Sequence, residues 1–418
     1  MKDKMQWINA ISTRPSLEAA VTEVVEEVQK SHIGNPDVGF VFISSAYASD
    51  YPRLVPLLLD KLSLPVLIGC SGGGIIGMAS SVSAVEIEDS PALSLTVACL
   101  PGVKIQPFYL ESDSFPDLDS SPTHWTNLIG VSPEDNPDFI LLADPFSSGI
   151  NDLIEGLDFA YPDGKKIGGL ASGSMVEAQS TLFYHDGGKS GVRHRQRQGT
   201  VGLALSGNIT VETIVAQGCR PIGRPYVIAE GERNVILGLQ DVDTGVNKPP
   251  LELLRALMET LEEKDRDLAQ NSLFIGIARD EFKQALGQGD FLIRNILGVD
   301  PRHGAIAVGD KIRPGQRIQF HLRDAATSAL DLRLLLESYQ RQPLKLQQVR
   351  GALMFSCLGR GQSLYEEKNF DTGIFHDYLG GIPLGGFFCN GEIGPVGGRT
   401  FLHGYTSALA IFKPGSAV

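Results

Sequence analysis

The feature that most constrains the fold is a pattern that returns at a constant offset of 99 residues. Phe40 matches Phe139, Ile43 matches Leu142, Leu54 matches Leu153, Leu58 matches Leu157, Ile68 matches Ile167 and Gly69 matches Gly168. Such self-similarity is the mark of an internal duplication. In each copy an apolar run (Phe40 to Ile43; Phe139 to Leu142) precedes a helix-like segment (Leu54 to Leu62; Asn151 to Ala160). A second apolar run then ends in glycines, Val66 to Ile68 before Gly69-Cys70-Ser71-Gly72-Gly73-Gly74, and Ile167 to Leu170 within Gly168-Gly169-Leu170-Ala171-Ser172-Gly173. Both copies therefore read as strand, helix, strand. Closely spaced strand-like runs follow each one, too near together for helices between them.

The motif returns more loosely near the C-terminus, from the strand Ala352 to Cys357 through Gly359-Arg360-Gly361 and a helix around Phe375 to Leu379 to the run Ile382 to Ile393. Before these units, Leu17, Val21, Val24, Val25 and Val28 share one helical face behind the N-cap candidate Ser16. A cluster of breakers, Gly218, Pro221, Gly223 and Pro225, marks a boundary, which gives two parts, 1–217 and 218–418. Strand-rich units with helices between predict an α+β chain: mixed sheets with helices on one face and a second sheet on the other, an α/β/β/α sandwich.

Composition narrows the chemistry. The 418 residues carry 36 Lys and Arg against 49 Asp and Glu, a net charge of −13, which disfavours a nucleic-acid partner. The one basic cluster, Arg193, His194, Arg195 and Arg197, reads as an exposed turn. Five widely spaced cysteines without a CxxC pair fit neither a disulfide framework nor a zinc site and suit a reducing cytoplasm. The first residues lack the apolar core of a signal peptide, and no run is long and apolar enough for membrane insertion.

Candidate ligand residues cluster in the loops. Cys70, Ser71, Gly72 and Gly73 follow a strand and can offer backbone N–H groups to a small anion, but no GxxxxGK[ST] pattern supports a nucleotide. The alternative is a tight turn between packed strands. Arg360 between two glycines has room for a bidentate grip on a carboxylate or phosphate, or else forms a structural salt bridge, with Glu392 as the partner in view. Asn390 and Glu392 sit in a turn after a buried-looking strand, where Glu392 can receive a ligand's amino group or cap backbone. Cys70, Cys357 and Cys389 end apolar strands, with His376 and His403 near in sequence, and read either as core residues or as a nucleophile. No catalytic motif and no metal or cofactor signature is present in the pattern.

With Ile68 to Gly74, Gly218-Cys219-Arg220-Pro221-Ile222-Gly223, Phe355 to Gly361 and Gly385 to Pro395 in place, almost the whole chain resembles the FIST family, the F-box and intracellular signal transduction domain. The sequence departs from that pattern at Ile75, where the family often carries Glu. The resemblance implies an N-terminal and a C-terminal FIST region and a small-ligand sensory module, with amino acids or related metabolites as ligands. No output domain or F-box is recognisable, so it further implies signalling through a separate partner. A cysteine-dependent hydrolase or transferase, and a protein-interaction scaffold, are the competing readings.

Overall fold

The computed structural model describes residues 4–173, 180–189, 194–283, 285–287, 289–342 and 346–415, so Arg193 of the basic cluster lies outside the described residues. Helix accounts for 26% of the chain and strand for 40%, in mixed sheets with flanking helices, as the sequence pattern requires. The chain forms two compact units, Met1–Ala216 with Arg333–Val418, and Gln217–Leu332. This partition differs from the sequence division into 1–217 and 218–418, because the C-terminal strands pair with strands of the N-terminal half.

The first unit opens with β1 (Gln6–Ser12), α1 (Leu17–Lys30), β2 (Val38–Ser44), α2 (Tyr51–Lys61), β3 (Leu67–Gly72), β4 (Ile75–Ser80), β5 (Ser83–Ile87) and β6 (Leu93–Cys99). The Ser16 hydroxyl caps α1 by accepting the Ala19 N–H at 3.3 Å, and Leu17, Val21, Val24, Val25 and Val28 are its buried stripe. The next stretch comprises β7 (Val103–Leu110), α3 (Pro122–Ile129), β8 (Asp138–Ala143), α4 (Ile150–Ala160), β9 (Lys166–Leu170), β10 (Leu182–His185), β11 (Arg195–Gln196), β12 (Thr200–Gly207) and β13 (Thr210–Ala216).

The second unit holds β14 (Cys219–Glu232), β15 (Val235–Asp241), β16 (Asn247–Lys248), α5 (Pro250–Thr260), α6 (Glu263–Ala269), β17 (Leu273–Ala278), β18 (Phe291–Asp300), β19 (Ala305–Val308) and β20 (Arg317–Arg323). The cluster of Gly and Pro that reads as a linker is the first half of β14. Pro221 and Pro225 fit there because the register shifts between Ile222 and Tyr226, where the ladder is interrupted. Beyond that bend β14 pairs with β15, so the antiparallel order β14-β20-β17-β18-β19-β15 returns on itself, with β16 outside β15. Leu253, Leu254 and Leu257 of α5 pack with Ile275, Ile306, Ile318 and Phe320 of this sheet.

α7 (Ala325–Gln340) leads back into the first unit, which ends with β21 (Gly351–Cys357), α8 (Gln362–Tyr365), α9 (Phe370–Leu379), β22 (Leu384–Cys389), β23 (Glu392–Val396), β24 (Arg399–His403) and β25 (Ser407–Lys413). Three six-stranded sheets result: β1-β6-β2-β3-β10-β11, β7-β12-β8-β9-β23-β24, and β13-β25-β21-β22-β4-β5. Each is built alike, from a parallel pair flanked by two antiparallel strands on one side and a hairpin on the other. The hairpin always comes from another copy of the motif. The first copy lends β4-β5 to the third, the third lends β23-β24 to the second, and the second lends β10-β11 to the first. The unit is thus a closed threefold exchange, and the sheet-on-sheet layering holds three sheets around one core. Helices cover the outer faces of the first two sheets.

The threefold relation corrects the sequence alignment of the duplication at one point. Phe40 pairs with Ile68, whereas Ile140, not Phe139, pairs with Ile167. Phe40 and Ile140 face the shared core, while Phe139 faces α3 and α4 on the outside. A constant offset of 99 therefore holds for β9 against β3 and is 100 for β8 against β2. A slip of one residue exchanges the faces of a strand, and burial decides which register forms.

Candidate functional site

The glycine-rich segments are strand rather than loop for much of their length, since β3 runs through Gly72, β9 through Leu170 and β22 through Cys389. The physical reason is close backbone approach. A Cβ at Gly69 would fall inside contact distance of the Val41 carbonyl, at Gly168 of the Leu141 carbonyl, and at Gly386 of the Met354 carbonyl. These three glycines occupy equivalent positions in the three parallel pairs.

Past these glycines the carboxyl ends of the three pairs meet in a ring of backbone hydrogen bonds. The N–H of Ser71 donates to Thr181 O at 2.9 Å, that of Leu170 to Gly391 O at 2.8 Å and that of Phe388 to Gly74 O at 2.9 Å. A second ring lies beside it: Ser172 N–H to Ser71 O and Asn390 N–H to Leu170 O, both at 3.1 Å. Its third link is different. Gly73 N–H donates to the Ser172 hydroxyl at 2.8 Å, and that hydroxyl donates to Phe388 O. The Ser71 hydroxyl donates to Ser172 O at 2.7 Å and accepts the Thr181 N–H at 3.0 Å.

Of the residues singled out in the sequence, Cys70, Ser71, Gly72 and Gly73 thus converge with Asn390 on this junction, and the Ser71 hydroxyl and the Gly73 N–H are used within the protein. Asn390 is exposed. Glu392 is fully buried and accepts the Thr406 N–H at 3.0 Å and its hydroxyl at 2.8 Å, a carboxylate that fixes backbone. Burial pushes the Cys70 thiol well up, and burial together with the charge of Glu392 does the same at Cys389. Both stay protonated at neutral pH.

Arg360 stands beside the junction, in the turn between β21 and α8. Leu358, two residues earlier, would collide with any side chain at Gly73, and its N–H donates to Cys389 O at 2.9 Å. The Arg360 side chain is fully buried. Its grip on a carboxylate is bidentate, as the flanking glycines allow, and the carboxylate is the protein's own Asp371: Nε to Oδ2 at 2.7 Å and Nη2 to Oδ1 at 3.0 Å. The partner is therefore Asp371 on α9, and no Arg360–Glu392 pair is formed. Nη2 also donates to the Tyr365 hydroxyl at 2.6 Å, and Ser356 donates to Asp371 at 3.1 Å. Burial works against the guanidinium charge, but the charge of Asp371 overrides it and Arg360 stays firmly protonated.

Two polar atoms of this cluster, Arg360 Nη1 and Glu86 Oε2, are buried and lack a hydrogen-bond partner among the described residues. Glu86, on β5, accepts the Thr372 N–H at 2.7 Å through its other oxygen. Burial, and then the charge of Asp371, push its carboxyl up to about 8, so it is neutral at pH 7. Burial raises Glu88 as well, and Glu88 accepts the Gln362 N–H at 2.8 Å. Glu86 escaped the sequence reading because β5 meets α9 only through the exchanged hairpin, and Asp371 and Tyr365 because nothing in the local pattern fixes how α8 and α9 fold back onto Arg360. Ser172 had a signal, its match to Gly73 at the 99-residue offset.

The first unit is thus an α+β threefold strand exchange with a buried ionic cluster beside the carboxyl ends of its parallel strands. The chain belongs to the FIST family: the FIST N domain matches residues 37–241 and the FIST C domain residues 250–395. FIST domains are in general sensory domains of signal transduction. An uncharacterized protein of Mycobacterium tuberculosis is 34% identical over 407 residues, covering 96% of this chain and 98% of that protein. Human F-box only protein 22 is 34% identical over 80 residues, 15% of this chain and 20% of that protein. Among solved structures, a cyanuric acid hydrolase from A. caulinodans aligns over 99% of this chain and all of its own, at 8% identity and a TM-score of 0.33. No helix among the described residues is long and apolar enough to cross a membrane.

Proposed function

We propose that this chain is a cytoplasmic sensor of small polar metabolites, amino acids or their relatives, that signals through a protein partner. The observation that carries the reading is Arg360 Nη1, a guanidinium N–H buried beside the strand junction with no acceptor among the described residues. Leaving such a donor unmade costs about 1–3 kcal/mol, and native proteins hold few of them. Neutral Glu86 supplies a second polar atom of the same kind in the same cluster. Perturbed titratable groups cluster at functional sites.

In this reading Asp371 and Tyr365 hold the guanidinium and a ligand oxygen takes Nη1. The ligand enters by displacing the turn Leu358–Gly361 and the short α8, whose flanks at Glu366 and Asn369 have positive φ. Cys70, Ser71, Gly72 and Gly73, together with Asn390 and Glu392, set the junction against which that turn rests. The high thiol pKa values of Cys70 and Cys389 weigh against a cysteine nucleophile.

A thermal-shift screen against amino acids and organic acids tests the reading, with isothermal titration of any hit. A ligand at 100 times its Kd adds about 2.7 kcal/mol to stability. The shift is expected in the natural protein and is lost in Arg360→Lys, which keeps a charge for Asp371. A panel without any shift, or a shift undiminished in Arg360→Lys, overturns the site. Recovery of a stable protein partner by an unliganded chain then favours the scaffold.

A further inference from the structure

The first unit contains a groove of about 410 Å³ at the opposite ends of the parallel strands, away from the Arg360 cluster. One wall is the N-terminal part of β1, the edge strand of its sheet, with Met5, Trp7 and Ile8. The other wall is formed where the chain enters β21 and β22, with Val349, Arg350, Leu379 and Pro383. Volumes of ~300–1,000 Å³ with apolar linings and few polar groups are those of small-molecule sites.

Two features give the groove a chemical preference. The Trp7 indole is fixed, stacked on Phe412 with centroids 4.2 Å apart and planes 17° apart, so the apolar wall is formed in advance. Arg350 is the sole charged residue among the described lining residues. Its Nη1 donates to Gln347 O and Val349 O, both at 2.9 Å, which anchors the guanidinium. Its Nε and Nη2 have no hydrogen-bond partner among the described residues, and it forms no ion pair with a described carboxylate. That leaves the planar Nε–Nη2 edge, the edge that grips carboxylates in a bidentate way. Ser31, also on the rim, is committed to Val28 O at 2.6 Å.

We propose that this groove is a second ligand site, for a small monocarboxylate with an aliphatic or aromatic body, held by Arg350 at its head and by the Trp7 wall along its body. The site is independent of the Arg360 cluster.

Isothermal titration of the full chain with octanoate and 3-phenylpropionate, against octanamide and 3-phenylpropanamide, tests the proposal. One saturable site is expected for each acid, with the amides at least tenfold weaker. Arg350→Met keeps the apolar stem and is expected to weaken the acids about tenfold while leaving the amides unchanged. Ile382→Trp, which fills the groove, is expected to remove both, and melting curves confirm that the variants fold. Absence of saturable binding by either acid overturns the proposal, as does equal affinity for acid and amide, or acid binding unchanged in Arg350→Met. Arg360→Lys leaves this binding intact, so its failure is distinct from failure of the sensor site.

Discussion

The two compact units solve the same difficulty, the open edge of a sheet, in different ways. The second bends one long strand, β14, so that its two halves pair with β20 and β15, and the sheet returns on itself. Most of its ladders join elements close in sequence. The first unit covers edges by exchanging hairpins among three copies of one motif, so that β5 and α9, far apart in the chain, become neighbours. Local closure leaves a packed core with few buried charges. Exchange places loops from three copies at one point and buries Arg360, Asp371, Glu86 and Glu392 there. Chemistry collects where distant segments are forced together.

The largest expected break of this contrast is Gly69→Ala. The new methyl meets a main-chain carbonyl that cannot rotate away, and overpacking of this kind exceeds the usual ~3 kcal/mol. Circular dichroism is expected to show loss of the cooperative melt; a melt within a few degrees of the natural protein would refute the close-approach account.

Next comes Arg360→Met, which strands Asp371 as a lone buried charge at a cost of about 3–5 kcal/mol. Adding Asp371→Asn should restore part of the loss in urea titrations. Additivity of the two substitutions would deny that they form one pair.

Glu86 gives a pH signature. Its carboxyl is raised in the folded state to about 8, so between the ordinary carboxyl value and pH 8 the folded chain holds a proton that the unfolded chain has lost. Stability from this group is therefore greatest at low pH and falls as pH rises through that window, by at most ~1.4 kcal/mol per unit. Glu86→Gln mimics the neutral form, so its urea midpoint is expected to exceed that of the natural protein at pH 8, with the gap closing towards pH 5. A gap independent of pH would contradict a neutral Glu86.

The smaller of the two glycine effects belongs to the second unit. A methyl at Gly276 meets the buried His321 ring and the Phe291 Cβ rather than main chain, so Gly276→Ala should cost ~1–3 kcal/mol, less than Gly69→Ala. Equal losses at Gly69 and Gly276 would erase the distinction between main-chain and side-chain contact.

The strand-helix-strand units, the cap at Ser16 and the α1 stripe were all legible, because each depends on local periodicity within one motif; the glycines at 69 and 168 stood out, but as loop residues rather than as strand positions of close approach. Even the looser third copy showed. Other features were hidden. The Pro and Gly cluster at 218–225 looked like a linker because a bulged strand and a turn use the same residues. The register of β8 looked equal to that of β2 because apolar residues occupy both faces of strands buried on both sides, and alternation then carries no signal.

The sequence by itself determined most of the strand-helix-strand units and that an arginine freed by two glycines has room to grip an anion or form a salt bridge. The tertiary structure alone decided which carboxylate, and which face of each strand looks inward. It also decided that three copies would trade hairpins rather than close individually. The physical reason is that local preferences act within a few residues, whereas pairing and ion-pair choice depend on which distant surfaces burial brings together, and a single chain carries no local record of its neighbours in space.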